Sequence, residues 1–223
     1  MKKRDPFIVG TWYHCYNRGI ENRRVFEDPY DYNRFLELLY LANESFPLRR
    51  HDIGDRKFEE VLNLPRGKKL VAIGAFCLLP NRFDLVLRED NEGGITSFMR
   101  KIGTAYTLYF NARHKRVGNL FLKPFKSSAA STDRAFQHLV SYVHSTPAAL
   151  YEPEWEINHV VDPQFLEEQL STYPYSSLGA SLGISTPTRS IIDSHLLATA
   201  RRVPLQKRLQ EARQYRSDFR LLS

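Results

Sequence analysis

Cysteine is scarce in this chain of 223 residues: there are two, Cys15 and Cys77, each inside an apolar run. Two thiols do not build a disulfide framework, so a reducing compartment is the expected setting. Long hydrophobic stretches are missing too. The longest uncharged apolar run, residues 70–81, falls short of the roughly 20 residues that a membrane span needs. The charged start Met1-Lys2-Lys3-Arg4-Asp5-Pro6 is followed by no apolar segment of the signal-peptide kind. These absences predict a soluble, cytoplasmic protein with no membrane partner. Acidic residues are missing locally, because residues 97–128 hold seven Lys/Arg and no Asp or Glu. No internal repeat is visible.

What is present points to a folded, polyanion-binding chain. With 42% hydrophobic and 13% aromatic residues the sequence can bury an ordinary core, which excludes wholesale disorder. The net charge is +7, and a second basic block over residues 185–223 carries eight Lys/Arg against three acids. Two basic blocks on a mildly acidic body suit a polyanion partner; a solubilising surface is the plainer alternative. Tyr106, Tyr109, Phe110, Phe121 and Phe125 are interleaved with the first block. Such a mixture can stack bases while cations bind phosphates, although most of these aromatics would serve equally in a core.

The element pattern predicts an α+β fold. Residues 10–18 are aromatic and partly alternating, which reads as a strand. Pro29 precedes a helix over 30–46, with Phe35, Leu38, Leu39 and Ala42 at helical spacing. Residues 47–69 read as a polar excursion. Strands over 70–78 and 82–88 flank the tight connection Leu79-Pro80-Asn81. A long helix follows over 95–114, then a strand over 118–128 in which Pro124 implies an edge or a bulge. Thr132 or Asp133 caps a helix ending at His144, with Phe136, Leu139, Val140 and Val143 as its apolar stripe. The order β-α-β-β-α-β matches a ferredoxin-like antiparallel sheet with both crossover helices on one face. Residues 1–183 read as the domain. Residues 184–223 read as a basic helical extension, with two short helices around Val203-Pro204.

Five motifs in this order carry a resemblance. They are Trp12-Tyr13-His14-Cys15-Tyr16-Asn17-Arg18-Gly19; Ala75-Phe76-Cys77-Leu78-Leu79-Pro80-Asn81; Tyr106 to His114 with Gly118-Asn119-Leu120-Phe121 and Phe125-Lys126; Tyr142-Val143-His144-Ser145-Thr146-Pro147; and Tyr173-Pro174-Tyr175-Ser176-Ser177. Together they resemble the single-tyrosine, single-strand DNA transposases of the IS200-like and REP-associated group. The resemblance implies that Tyr142 is the nucleophile that attacks a DNA phosphodiester and becomes joined to the 5′ phosphate. A phenol is a poor nucleophile near its free pKa of about 10 and must be positioned and assisted. The family assists it with a divalent ion, Mg²⁺ or Mn²⁺, held by a His-hydrophobic-His pair on one strand. It also implies hairpin or single-stranded DNA as partner. Relatives include both monomers and sheet-edge dimers, which leaves a homodimer open.

The chain departs from the family at the metal. Where the histidine pair is expected it reads Arg82-Phe83-Asp84. Residues at i and i+2 share a sheet face, so the geometry of a pair survives without either imidazole. Arginine has only donors and stays protonated. Asp84 alone offers Mg²⁺ one carboxylate. Thr146, one turn after Tyr142, stands where the family often has an amide. Three readings follow: an ion pair filling the former metal site; Arg82 contacting the phosphate; or Asp84 with His14 or His144 still holding a metal. Arg113, Lys115, Arg116, Lys123 and Lys126 are candidate phosphate contacts. Asn17 and Arg18 end the first strand where a nucleic acid can lie, and Arg201-Arg202 and Lys207-Arg208 are a further basic candidate grip. The expected function is DNA binding with strand cleavage weak or lost. An active metal-dependent single-strand transposase and an RNA-binding regulator are the alternatives.

Overall fold

A computed structural model describes residues 6–45, 56–157, 159–198 and 202–222. Expectations placed on Phe46, on residues 47–55 and on Arg201 lie outside the described residues. Four strands, β1 (Trp12–Arg18), β2 (Val71–Leu79), β3 (Arg82–Glu89) and β4 (Lys126–Ala130), form one antiparallel sheet in the order β2-β3-β1-β4. Between them run α1 (Pro29–Leu41), the short α2 (Phe58–Val61) and α3 (Gly94–Arg113). This is the ferredoxin-like arrangement that the element order predicts.

Alternation along the strands divides the interior in two. Tyr13, Cys15, Phe83, Leu85 and Leu87 point to the face covered by Phe35, Leu38 and Leu39 of α1 and by Phe98, Ile102 and Tyr106 of α3. The two crossover helices therefore share that face. The opposite face presents Ala75, Cys77, Leu79 and Val86 to α4 (Asp133–Ser145) and α8 (Leu205–Leu222). Packing on both faces explains why all nine residues of β2 are buried. Cys15 and Cys77 are both fully buried and neither is in a disulfide.

Local chemistry sets the helix starts. Asp28 accepts from the backbone N–H of Tyr30 and Asp31, with Pro29 in the first turn. Thr132 accepts from Ala135 N to start α4. The first turn of α3 is held by the buried carboxylate of Glu89, which accepts from Gly94 N (3.1 Å) and Ile95 N (2.7 Å). At Gly94 a Cβ would stand 2.3 Å from the backbone oxygen of Leu70. Gly94→Ala is therefore expected to destabilise the chain by about 1–3 kcal/mol, read as a lower urea midpoint with unchanged slope.

The fourth strand and the C-terminal segment differ from expectation. The fourth strand begins at Lys126 rather than at residue 118. Pro124 has no N–H for the ladder, and the preceding stretch joins β1 only through the Gly19–Phe121 bridge and the Leu122 N–H to Arg18 oxygen bond. The C-terminal segment holds one short helix, α7 (Ser194–Ala198), and one of 18 residues, α8. The outer edge of β2 is covered by chain. Leu78 N donates to Tyr175 O, Ser177 N to Phe76 O and Asp193 N to Ile73 O. The Tyr173-Pro174-Tyr175-Ser176-Ser177 motif thus seals one sheet edge, between α5 (Pro163–Thr172) and α6 (Leu178–Ser181).

Candidate nucleic-acid interface

Residue parity brings the candidate residues to the α4 face of the sheet. In the β1–β3 register Tyr16 is opposite Asp84 and Arg18 opposite Arg82; in the β1–β4 register Tyr16 is opposite Lys126 and His14 opposite Ser128. With Asp84 facing α4, the same face carries His14, Tyr16, Arg18, Arg82, Lys126 and Ser128. Tyr142 descends onto this group from α4, and Tyr215 and Arg216 from α8.

At its centre is a buried carboxylate. Asp84 is fully buried. Its Oδ2 accepts from Arg82 Nε at 2.8 Å, and its Oδ1 accepts from Arg82 Nη2 and from His14 Nε2, the latter at 2.9 Å. A carboxylate only accepts, so His14 donates from Nε2 and its Nδ1 must accept. It accepts from the Tyr215 hydroxyl at 3.0 Å, which in turn is 2.9 Å from Ser128 Oγ. His14 is held neutral in this chain. Burial foremost lowers its pKa, against the hydrogen bond and charge of Asp84 that raise it, and the Arg82 charge lowers it too, so that the net shift is downward. Burial works against ionised Asp84, but the Arg82 charge and the His14 hydrogen bond outweigh it and hold the carboxyl at about 2.

Tyr142 lies above this pair and is 4% exposed. Its hydroxyl accepts from Arg216 Nη1 at 3.3 Å and lies 3.5 Å from Arg82 Nη2, the long limit of a hydrogen bond. The rings of Tyr215 and His14 pack against the Tyr142 ring at 5.2 and 5.8 Å. Arg216 also forms an ion pair with Glu156 at 2.8 Å, whose N–H is not aligned for a hydrogen bond. Two guanidinium groups, each with a carboxylate of its own, thus converge on one phenol oxygen, and α8 covers it.

These donors do not fit a divalent cation. Both oxygens of Asp84 and both nitrogens of His14 are engaged, and Arg82 supplies only donors. Thr146 turns its hydroxyl back to the Val143 carbonyl at 2.9 Å, inside α4's own last turn. Among the described residues no group of three or more His, Cys, Asp or Glu is placed to hold a metal. His144 is on a different side of α4, buried and 2.8 Å from Ser177 Oγ.

The remaining candidates divide. Lys126 and Arg18 are exposed on the Tyr142 face. Asn17 points to the other face and donates to the Leu122 carbonyl, which fixes the segment carrying exposed Lys123 beside the end of β1. Lys115 and Arg116 stand in the connection after α3; Lys115 is exposed, and Arg116 is bonded to Asn111 and Asn119. Arg113 is not brought to this group. It pairs with Asp28 and Asp31 at 2.6 and 2.7 Å, beside the start of α1. Sequence reasoning missed Tyr215, Arg216, Ser128 and Glu156. A weak signal existed, since Leu205, Leu209, Ala212 and Arg216 recur at helical spacing.

No family model matches the sequence, and no curated protein matches it. Among solved structures, a REP-associated tyrosine transposase bound to a REP hairpin matches with a TM-score of 0.50 and 15% identity, over 84% of this chain and 90% of that one. At that identity the likeness is one of fold. Among the described residues no helix is long and apolar enough to cross a membrane.

Proposed function

We propose that the chain is a DNA-binding protein related to the REP-associated tyrosine transposases. It takes hairpin or single-stranded DNA on the face bearing Arg18, Arg82 and Lys126, with strand cleavage through a Tyr142 phosphotyrosine weak or lost. The observation that carries this reading is the Arg82–Asp84–His14 cluster beneath Tyr142, which fills the strand positions where a metal pair would stand. The similar structure, which holds a REP hairpin, supports the choice of a hairpin as partner. The cover of α8 over Tyr142 supports weak cleavage, because a phenol that is 4% exposed does not meet a phosphodiester without displacement.

The test is incubation of the full chain with 5′- and 3′-labelled single-stranded hairpins, with and without Mg²⁺ or Mn²⁺. Hairpin binding without a covalent product is expected. A metal-dependent adduct that Tyr142→Phe abolishes would overturn the loss of cleavage. Preference for RNA of the same sequence would overturn the choice of DNA.

Salt dependence separates the cations. Arg18→Ala and Lys126→Ala are each expected to reduce the salt slope of hairpin binding by about one counterion. Arg113→Ala is expected to leave that slope unchanged and instead lower stability, because it strips an ion-pair partner from fully buried Asp31. A slope lowered by Arg113→Ala would place the DNA against the start of α1.

A further inference from the structure

We propose that Arg82 and Arg216 together form a phosphate-binding site that stands in for a divalent ion, so that a DNA phosphate is held in front of Tyr142 without metal. This rests on the reading of the Tyr142 face as the DNA-binding one.

The geometry supports it in three ways. First, both guanidinium groups reach the same Tyr142 oxygen, so they lie within one phosphate's span of each other. Second, each keeps donor capacity. Arg82 spends Nε and Nη2 on Asp84, and Arg216 spends Nη1 on Tyr142 and sets Nε beside Glu156. Arg82 Nη1 and Arg216 Nη2 have no hydrogen-bond partner among the described residues. The two side chains are 27% and 33% exposed, so these nitrogens are open to a ligand while the phenol behind them is buried. Third, the charge favours an anion. Arg18 and Lys126 flank the pair on the same face, so four cations face the two carboxylates Asp84 and Glu156.

Arginine's planar fork suits a tetrahedral oxyanion, and such charge-assisted bonds are the strong ones. The carboxylates fix the forks rather than cancel them: Asp84 grips Arg82 from below, and Glu156 holds Arg216 from the side. A phosphate bound on the outer side of the two groups is separated from the Tyr142 oxygen by the guanidinium layer. The same residues that bind the backbone thus keep the nucleophile from it. This accounts for binding with little cutting through one arrangement.

The experiment measures fluorescence anisotropy of the full chain on a hairpin with a single-stranded tail, in EDTA and in Mg²⁺, over a range of salt. The dissociation constant is expected to agree within about twofold between EDTA and Mg²⁺ at matched ionic strength. Arg216→Ala is expected to weaken binding roughly tenfold to a hundredfold and to lower the salt slope by about one. Arg216→Lys restores the slope but not the full affinity, because the fork is lost. Arg82→Lys keeps a charge on Asp84, so the fold is spared, and is expected to weaken binding in the same way. Binding that requires Mg²⁺ overturns the proposal and leaves the DNA reading standing. So does metal-independent binding that Arg216→Ala and Arg82→Lys do not change. Failure of the wild-type chain to bind any hairpin or single strand in either buffer removes both.

Discussion

Asp84→Ala is expected to lower the unfolding free energy by about 3–5 kcal/mol, the usual cost of removing one partner from a buried ion pair. The carboxylate is fully buried and answers two donors at once, the Arg82 fork and the His14 ring. Its removal leaves a charged group and an N–H facing a space that solvent enters poorly. The loss then spreads, since His14 orients Tyr215 and Tyr215 is a point where α8 meets the sheet. Urea unfolding at pH 7 checks the magnitude. Asp84→Asn keeps the shape but not the charge and is expected to fall between the two. A double replacement that removes Arg82 and Asp84 together for apolar residues is expected to recover much of the loss, because no isolated charge is left. If Asp84→Ala lies within 1 kcal/mol of the wild type, the cluster is not coupled to the fold.

The second large effect is a loss of stability in mild acid. His14 and His144 are both buried with lowered pKa values, His14 by burial foremost and His144 by burial and the nearby charge of Arg208, to about 3. The sign follows from linkage. The unfolded chain takes up a proton on each imidazole near 6.5 while the folded chain does not, so falling pH favours the unfolded state. The contribution of both residues is complete above about pH 6.5 and declines below it, at up to about 1.4 kcal/mol per pH unit for each histidine. For His144 the decline continues toward pH 3. Asp84, held at about 2, contributes a full and constant stabilisation above about pH 5, so the histidines dominate the slope between pH 6.5 and about 5. Urea midpoints at pH 7, 6 and 5 measure the slope. His144→Gln, which can still bond to Ser177, is expected to flatten it by close to half. An unchanged slope in that variant would show that His144 is protonated in the folded chain.

The antiparallel sheet with both crossover helices on one face was legible in the sequence, from the order of the elements and the periodicity within them. Phe35, Leu38 and Leu39 in α1 and the alternation of Arg82, Asp84 and Val86 in β3 state their faces directly. The Thr132 cap was legible as local chemistry. The start of β4 was not, since a run of apolar residues before Pro124 looks like strand, while Leu120 and Phe121 are used to fill the core behind β1. In the candidate site, Tyr142, Arg82 and Asp84 were singled out through the family motifs they resemble, and the alternation of β3 put Arg82 and Asp84 on one face. The role of Arg113 could not be read, because its partners Asp28 and Asp31 are more than 80 residues away. Nor could the cover by α8. Its packing residues, Leu205, Leu209, Ala212 and Tyr215, are few among polar neighbours, and a strongly basic helix reads as solvated until a partner face is known. The partner of His14 could not be read either, because only the fold brings its ring from the adjacent strand to Asp84.

The two cysteines lend themselves to spectroscopy. Cys15 and Cys77 are sealed in the interior, and burial pushes the Cys77 thiol well above its ordinary pKa, so neither offers the exposed thiolate that maleimide or nitroxide reagents attack. The native chain is thus a silent background for labelling. One engineered thiol at exposed Gln214 on α8 and another at exposed Arg134 on α4 would take a dye pair without first removing native sulfur. The separation of the two helices could then be followed as a hairpin is added.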